Sequence, residues 1–444
     1  MLILLLLAAI AFIVISTTKF KLHPFLALIF AAIIYGLLSG IPFSEIIKSV
    51  NNGFGSTTGS IGIVIVVGCI IGTLLEESGG VYVMARYILK IVGEKYVPVA
   101  MLILGYIVSI PVFADSGFVI LAPLSKALSK RAKITLATST IALSLGLTIT
   151  HCLVPPTPGP LAAAGIMGAD LGLVILTGFM ASILPVMVTI LFVAKWASRI
   201  YIDPNPKADE NVVSEKMKDA PSALKSFIPI ILPLVLIVLK SISDFPAEPF
   251  GSGWFKHAIG FIGEPVVALL LGMILAFTLP KKFDCQMMSS TGFVGKAIHS
   301  AASIILITAA GGSFGMILRD SGIAEVIGSS LAGFNMGIWL PFLIAAALKT
   351  AQGSSTVATI TTASIIFPLI DVLGFVTPLE ISLAVTSICA GAMVVSHVND
   401  SFFWIVTQMS GMNIKTGYKL HTLGTLICGL SAMLTIWFVF SIIK

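Results

Sequence analysis

Residues Met101–Pro160 read MLILGYIVSIPVFADSGFVILAPLSKALSKRAKITLATSTIALSLGLTITHCLVPPTPGP. Their interruptions decide the fold. Asp115 lies in Pro111-Val-Phe-Ala-Asp-Ser-Gly117, where proline removes a backbone donor and glycine loosens the turn. His151 opens His-Cys-Leu-Val-Pro-Pro-Thr-Pro-Gly-Pro160, and four prolines in ten residues cannot continue a helix. Between Val97 and Ala194 the apolar segments hold three Asp, Glu or His residues in all: Asp115, His151 and Asp170. Broken backbone at membrane depth persists where it is buried in protein or lines a watery cavity. An ionisable side chain beside such a break points to function. The stretch reads as part of a solute site.

The rest of the composition agrees with a membrane setting. Of 444 residues, 57% are hydrophobic and 10% charged, with mean hydropathy +1.07. Soluble domains carry about 25% charged residues, so the sequence predicts an all-α polytopic membrane protein. The opening Met1-Leu-Ile-Leu-Leu-Leu-Leu has no basic n-region and no small-residue cleavage site, and reads as a first span, not a signal peptide. The net charge of +6 resides in loops. Orientation and anionic lipid headgroups explain it, so membrane lipids are expected partners and nucleic acid is not. Five scattered cysteines (Cys69, Cys152, Cys285, Cys389, Cys428) show no metal spacing and read as small buried hydrophobes.

Taken in order, spans of roughly 17–25 apolar residues fit residues 2–18 and 24–40, on either side of Lys19-Phe-Lys21. A Gly/Ser/Thr-rich lead-in, Asn51–Ser60, precedes a span at 61–75, and residues 81–95 suit an amphipathic interfacial helix. Residues 97–128 read as a re-entrant hairpin with Asp115 near its tip, 134–168 as a broken helix, and 173–194 as a span. The polar stretch 195–225 is a linker between two halves, 1–194 and 226–444. The second half offers spans at 227–240, 258–279 and 300–318, a hairpin at 341–369, a broken helix at 380–410 and a last span at 422–442. The expectation is about ten spans plus two hairpins.

The halves repeat one plan. Gly72 and Gly315, Pro98 and Pro341, and Gly168 and Gly411 are each 243 residues apart, and His151 and His397 are 246 apart. With Lys19 and Lys21 in the cytoplasm, alternating spans place 20 of the 26 basic residues inside and five outside, with Lys349 within the second hairpin. The linker then joins halves of opposite orientation and is cytoplasmic. Both termini fall outside the cytoplasm. Inverted repeats whose broken helices meet at the midplane are a secondary-transporter design.

Four polar elements are expected to converge: Asp115-Ser116-Gly117, the His151–Pro160 break with Pro156, Thr157 and Gly159, the hairpin Lys349 to Thr356 with Gln352, Gly353, Ser354 and Ser355, and the break holding His397, Asn399 and Asp400. Helix N-terminal amides and the hydroxyls of Thr157, Ser354, Ser355 and Thr356 can hold a carboxylate and its hydroxyls. Asn399 can donate and accept, and Lys349 can offset the solute's charge. Structural readings stand beside these. Asp115 can cap a helix, Lys349 can snorkel, Asp400 can orient neighbours, the histidines can be satisfied core groups, and Gln352-Gly-Ser-Ser355 can be close helix packing.

The segments Pro111–Phe118, His151–Pro160, Ala351-Gln-Gly-Ser-Ser-Thr-Val357 and Ser396-His-Val-Asn-Asp-Ser-Phe-Phe-Trp404 together resemble the gluconate permease family of proton symporters, within the wider ion-transporter superfamily. The resemblance spans nearly the whole chain. It implies uptake of a small hydroxylated monocarboxylate, such as gluconate or a related sugar acid, with D-serine or another hydroxy or amino acid as the alternative. It also implies proton coupling and an elevator motion; Asp115, shielded at its hairpin tip by Phe113 and Phe118, is the expected carrier of the proton with Asp400 next, and a homodimer in a bacterial inner membrane is expected. Sodium is the alternative coupling ion, and no cofactor is expected. Three places depart from the family pattern: Thr157 stands where histidine is common, Phe113-Ala-Asp115-Ser-Gly117 where an acidic residue follows two bulky ones before Val-Gly, and Lys349 where arginine is frequent. An intramembrane hydrolase, using Asp115 and Asp400 as an acid pair or histidines on a metal, is a distant alternative, opposed by the lack of a His-Glu-x-x-His or other metal spacing. A passive channel would need no coupling group.

Overall fold

In a computed structural model the described residues are 2–93, 96–204, 220–244, 250–281, 284–323, 326 and 337–444. Their regular structure is helical. The first half comprises α1 (Leu2–Thr18), α2 (Pro24–Ser39), α3 (Phe43–Glu77), α4 (Gly80–Val92), α5 (Val97–Val108), α6 (Ala114–Arg131), α7 (Leu136–Leu153), α8 (Pro158–Met167) and α9 (Leu171–Lys195). The second comprises α10 (Ala223–Ser243), α11 (Trp254–Ile262), α12 (Pro265–Ala276), α13 (Phe293–Asp320), α14 (Trp339–Gln352), α15 (Ser355–Ile366), α16 (Pro378–Gly391), α17 (Ser401–Met409) and α18 (Leu423–Ile443). Among the described residues, six helical segments are long and apolar enough to cross a membrane, seven if the bent pair α11–α12 is one span. That is fewer than the ten read from the sequence. Part of the difference is length, since α1 and α2 are apolar but have 17 and 16 residues.

The two long helices α3 and α13 form the spine. They close on each other where Gly53 meets Gly312: a Cβ on Gly53 would lie 2.4 Å from the Gly312 carbonyl oxygen, which no side chain tolerates. Ser313 Oγ donates to Val50 O at 2.8 Å, and Ser49 Oγ donates to Asp320 Oδ2 at 2.5 Å. The stretch Asn51–Ser60, expected as a lead-in, is therefore the middle of a continuous 35-residue helix. Small residues let helix backbones close on each other, and Thr58 and Ser60 satisfy their hydroxyls on the helix's own carbonyls at 2.8 and 2.9 Å.

A second correction concerns residues 258–279. They form two helices bent by 66° at Gly263-Glu264, with Pro265 opening the second. Proline fits a first helical turn but breaks the hydrogen-bond ladder behind it. The span expected at 227–240 extends to Ala223–Ser243. Most of the linker, 205–219, lies outside the described residues. Its start is pinned to α7: Thr135 Oγ1 donates to Ile200 O and accepts from Ile202 N, each at 2.8 Å. Asp170 is structural, capping α9 through Leu173 N at 2.7 Å and accepting from Ser241 Oγ at 2.6 Å.

Two helical hairpins, α5/α6 and α14/α15, pack on two interrupted helices, α7/α8 and α16/α17. The halves interlock at the interruptions, where α8 lies on α15 and α6 touches α17. In α7/α8 the chain leaves the helix after Leu153, passes a cis Pro155-Pro156 peptide and resumes helix at Pro158. In α16/α17 the gap runs from Ala392 to Asp400 and holds Val395 at φ 50°. A β-branched residue in the left-handed region is a true outlier, of the kind that clusters at functional sites. The hairpin tips and this gap surround one cavity.

Candidate functional site

The cavity has a volume of about 490 Å³. Three helix N-termini open onto it. From α6 come Ala114, Asp115 and Ser116, preceded by Phe113; from α15 come Ser355 and Thr356, preceded by Gly353 and Ser354; from α17 come Ser401 and Phe402, preceded by Asn399 and Asp400. Lys349 and Gln352 from α14, Thr148, His151 and Cys152 from α7, and Met393 and Ser396 from the second gap complete the wall. N-terminal turns leave amides without intrahelical partners and carry partial positive charge. The α6 terminus has no side-chain cap.

Charge in the cavity is largely self-compensated. Lys349 is 1% exposed, and its Nζ donates to Asp400 Oδ2 at 2.6 Å and to the Gly353 carbonyl. Asp400, 8% exposed, also accepts from Ser396 Oγ at 2.5 Å and caps α17 through Phe402 N at 3.0 Å. Lys349 thus neither snorkels nor waits as a free cation. It is matched by a carboxylate of its own protein. Asp115 is held differently: it sits in the first turn of α6 without capping it, and accepts one long bond, from Ser401 Oγ at 3.4 Å.

Neutral groups are less committed. Neither amide atom of Gln352 has a hydrogen-bond partner, and neither does His151 Nδ1. Buried polar groups are ordinarily paired, so each one left open calls for an explanation; here they border a cavity. The ring of His151 meets Phe113 edge to face, with centroids 6.2 Å apart.

Several residues singled out in the sequence lie elsewhere or are committed to structural contacts. Gly117 packs on Leu147, and Gly159 faces Thr356 and Thr359. Thr157 donates to Val154 O at 2.6 Å and, with Pro156, borders a separate small void. His397 Nε2 donates to Thr350 O at 2.9 Å, and the Asn399 amide donates to Thr350 O and Ala351 O at 2.9 and 3.1 Å. Those two side chains tie the second gap to the C-terminal carbonyls of α14. Between them the chain passes so close to Gly353 that a Cβ there would sit 2.2 Å from Asn399 O; with φ at 86°, that position demands glycine. Sequence reasoning passed over Ser401 and Phe402, and also His421, which stands 3.1 Å from Ser396 Oγ behind the ion pair. The signal was modest: one of six histidines, at the mouth of the last span.

Comparison with known proteins gives this geometry a context. A gluconate permease of Pseudomonas aeruginosa is 36% identical over 92% of this chain and 91% of its own length. The D-serine transporter DsdX of Escherichia coli K12 is 31% identical over 96% of each chain. The crystal structure of the YdaH transporter of Alcanivorax borkumensis matches with a TM-score of 0.66 at 15% identity, covering 94% of this chain and 99% of that one, which shows a shared fold. The profile of the GntP family permeases matches residues 1–443. The chain therefore belongs to the GntP permease family and is a multi-pass membrane transporter, not an enzyme.

Proposed function

We propose that the protein is a proton symporter that imports a small hydroxylated monocarboxylate of the gluconate type through this cavity. The charge balance carries the reading. Lys349 and Asp400 offset each other, so Asp115 sets the remaining charge of the wall. A solute carboxylate beside an ionised Asp115 would meet like-charge repulsion in a low-dielectric site. A proton on Asp115 removes it, so anion and proton bind cooperatively and cross as a neutral set. Asp400 suits this role less well, because Lys349, Ser396 and Phe402 N already engage its oxygens. The open amide of Gln352, His151 Nδ1 and the hydroxyls of Ser116, Ser355 and Thr356 supply partners for the solute's hydroxyls. Sodium in place of the proton is the alternative coupling.

One observation favours a second solute class. The single long bond to Asp115 leaves room for an ammonium, so a zwitterion such as D-serine could pair with an ionised Asp115. DsdX, named as a D-serine transporter, is a relative of this chain.

The helix order supports inverted repeats. Long helix, hairpin, broken helix and span recur as α3, α5/α6, α7/α8, α9 and as α13, α14/α15, α16/α17, α18. In this reading the hairpins re-enter from opposite sides of a bacterial inner membrane, and both termini lie outside the cytoplasm. Hairpins and broken helices then move together, elevator fashion, against the spine α3/α13 in a homodimer. The bonds from His397, Asn399 and Asp400 to α14 favour such a unit.

The test is thermal stabilisation of purified protein across sugar acids, hydroxy acids and D-amino acids, since a ligand at 100 times its Kd adds about 2.7 kcal/mol. Gluconate-type monocarboxylates should raise Tm, and labelled solute should accumulate unmodified in proteoliposomes. Stabilisation by citrate or succinate alone would refute the monocarboxylate site. Stabilisation by D-serine alone would select the zwitterion.

A further inference from the structure

Behind the ion pair runs a hydrogen-bonded chain that the proposed cycle does not use. Ser396 Oγ donates to Asp400 Oδ2 at 2.5 Å; a carboxylate accepts, so the hydroxyl's one proton is committed. The same oxygen lies 3.1 Å from His421 Nε2 and can there act as acceptor alone. Nε2 of His421 therefore carries hydrogen and donates to Ser396. The other ring nitrogen, Nδ1, lies 3.3 Å from Ser144 Oγ on α7.

His421 has no exposed surface. Its ring is wedged edge-on against Phe402, with centroids 5.4 Å apart. It belongs to a five-residue π-helical turn, Tyr418–Thr422, that interrupts the helix entering α18. Such turns are rare and recur at functional sites. This turn and the start of α18 grip the backbone of Ser396 as well: Thr422 Oγ1 donates to Ser396 O at 2.5 Å, and Ser396 N donates to Thr425 Oγ1 at 3.1 Å. Every hydrogen-bonding group of Ser396 is thus spoken for by Asp400 or by residues 421–425.

We infer that His421 is a positioning residue for the solute site. Through Ser396 it fixes the Asp400 carboxylate with Oδ2 toward Lys349, and so sets where the ammonium sits and how the cavity's charge is balanced. Without the donated hydrogen, the Ser396 hydroxyl can turn away, and Asp400 loses one of the bonds that hold it against Lys349. The inference rests on the cavity being the solute site.

The experiment compares His421→Phe, His421→Gln, Ser396→Ala, the Ser396→Ala/His421→Phe double variant and Gln352→Leu in full-length protein. The readout is exchange of labelled gluconate and of labelled D-serine in proteoliposomes, with Tm recorded for each variant. Phenylalanine keeps the ring packing and removes the donor; glutamine retains an N–H donor. His421→Phe and Ser396→Ala should each raise KM at least tenfold with Vmax within threefold of wild type. His421→Gln should stay within threefold in KM, and the double variant should be no worse than either single one. If His421→Phe does not fold, Ser396→Ala and His421→Gln still decide. An unchanged KM in His421→Phe or in Ser396→Ala, losses that add in the double variant, or no rescue by glutamine would overturn the inference. An unchanged KM in Gln352→Leu alongside a raised KM in His421→Phe would count against the cavity reading and the inference together. A raised KM in Gln352→Leu with none in His421→Phe would sink the inference alone.

Discussion

Replacing Lys349 by methionine should destabilise the protein more than replacing Asp400 by asparagine, and combining the two should restore much of the loss. The pair is buried, 1% and 8% exposed, with a 2.6 Å contact. Breaking a buried pair by removing one partner costs about 3–5 kcal/mol, because a charge is left without compensation. In Lys349→Met the remaining charges are both negative: Asp400 keeps Ser396 and Phe402 N as partners, but Asp115 borders the same cavity. The cost should reach the upper part of that range. In Asp400→Asn the ammonium keeps the Gly353 carbonyl and gains an amide oxygen, while Asp115 balances its charge across the cavity. The loss should be about 2–3 kcal/mol. The Lys349→Met/Asp400→Asn variant buries no unpaired charge from this pair, and its loss should fall below about 2 kcal/mol. Denaturant unfolding of purified protein in mild detergent, followed by helicity, measures all three. A Lys349→Met protein within about 1 kcal/mol of wild type, or a double variant that loses the sum of the singles, would show that the two groups are not held as a buried, mutually compensating pair.

Three further outcomes follow from the geometry. Gln352→Leu removes the open amide and should weaken solute binding about tenfold, the equivalent of one hydrogen bond of roughly 1.4 kcal/mol; equilibrium binding to the purified variant checks it, and unchanged affinity would place the solute elsewhere. Gly353→Ala should abolish transport or folding, since the added methyl would meet Asn399 O at 2.2 Å on a backbone with φ 86°; wild-type uptake by that variant would show the hairpin tip to be placed differently. A fluorescent reporter that matures in the cytoplasm, fused after Lys444, should stay dark while one inserted in 205–219 lights up; the reverse pattern would exclude the proposed orientation.

The helix breaks were legible because proline and glycine write them directly. Pro155, Pro156 and Pro158 end one helix and open the next, and the polar run Gln352–Thr356 marks a hairpin tip between apolar limbs. What Lys349 does was not legible, because its partner Asp400 is 51 residues away and reaches it through tertiary packing. A lone lysine between apolar limbs looks like a free charge until that contact is seen. Asn399 and His397 were read as solute groups for their chemistry, yet their donors go to the end of α14. Small polar residues misled in the opposite sense at Asn51–Ser60: loop-like by composition, they are what lets α3 and α13 touch. Gly263-Glu-Pro265 did carry a bend signal, but it sits between apolar runs long enough to pass together as one span. His421 gave no local sign beyond its type, since its role depends on Ser144 and Ser396, 277 and 25 residues away.

In the proposed cycle Asp115 couples proton movement to solute movement at the cavity between the two hairpins. Asp115→Asn keeps the size and hydrogen bonding of the protonated side chain and removes its ability to ionise. The decisive measurement places wild type and this variant in proteoliposomes and records two quantities with the same labelled solute: exchange at equal pH, and net uptake with a pH gradient as the sole driving force. Asp115→Asn should exchange solute at near the wild-type rate and accumulate none above equilibrium. Accumulation by the variant under the pH gradient would contradict this coupling role.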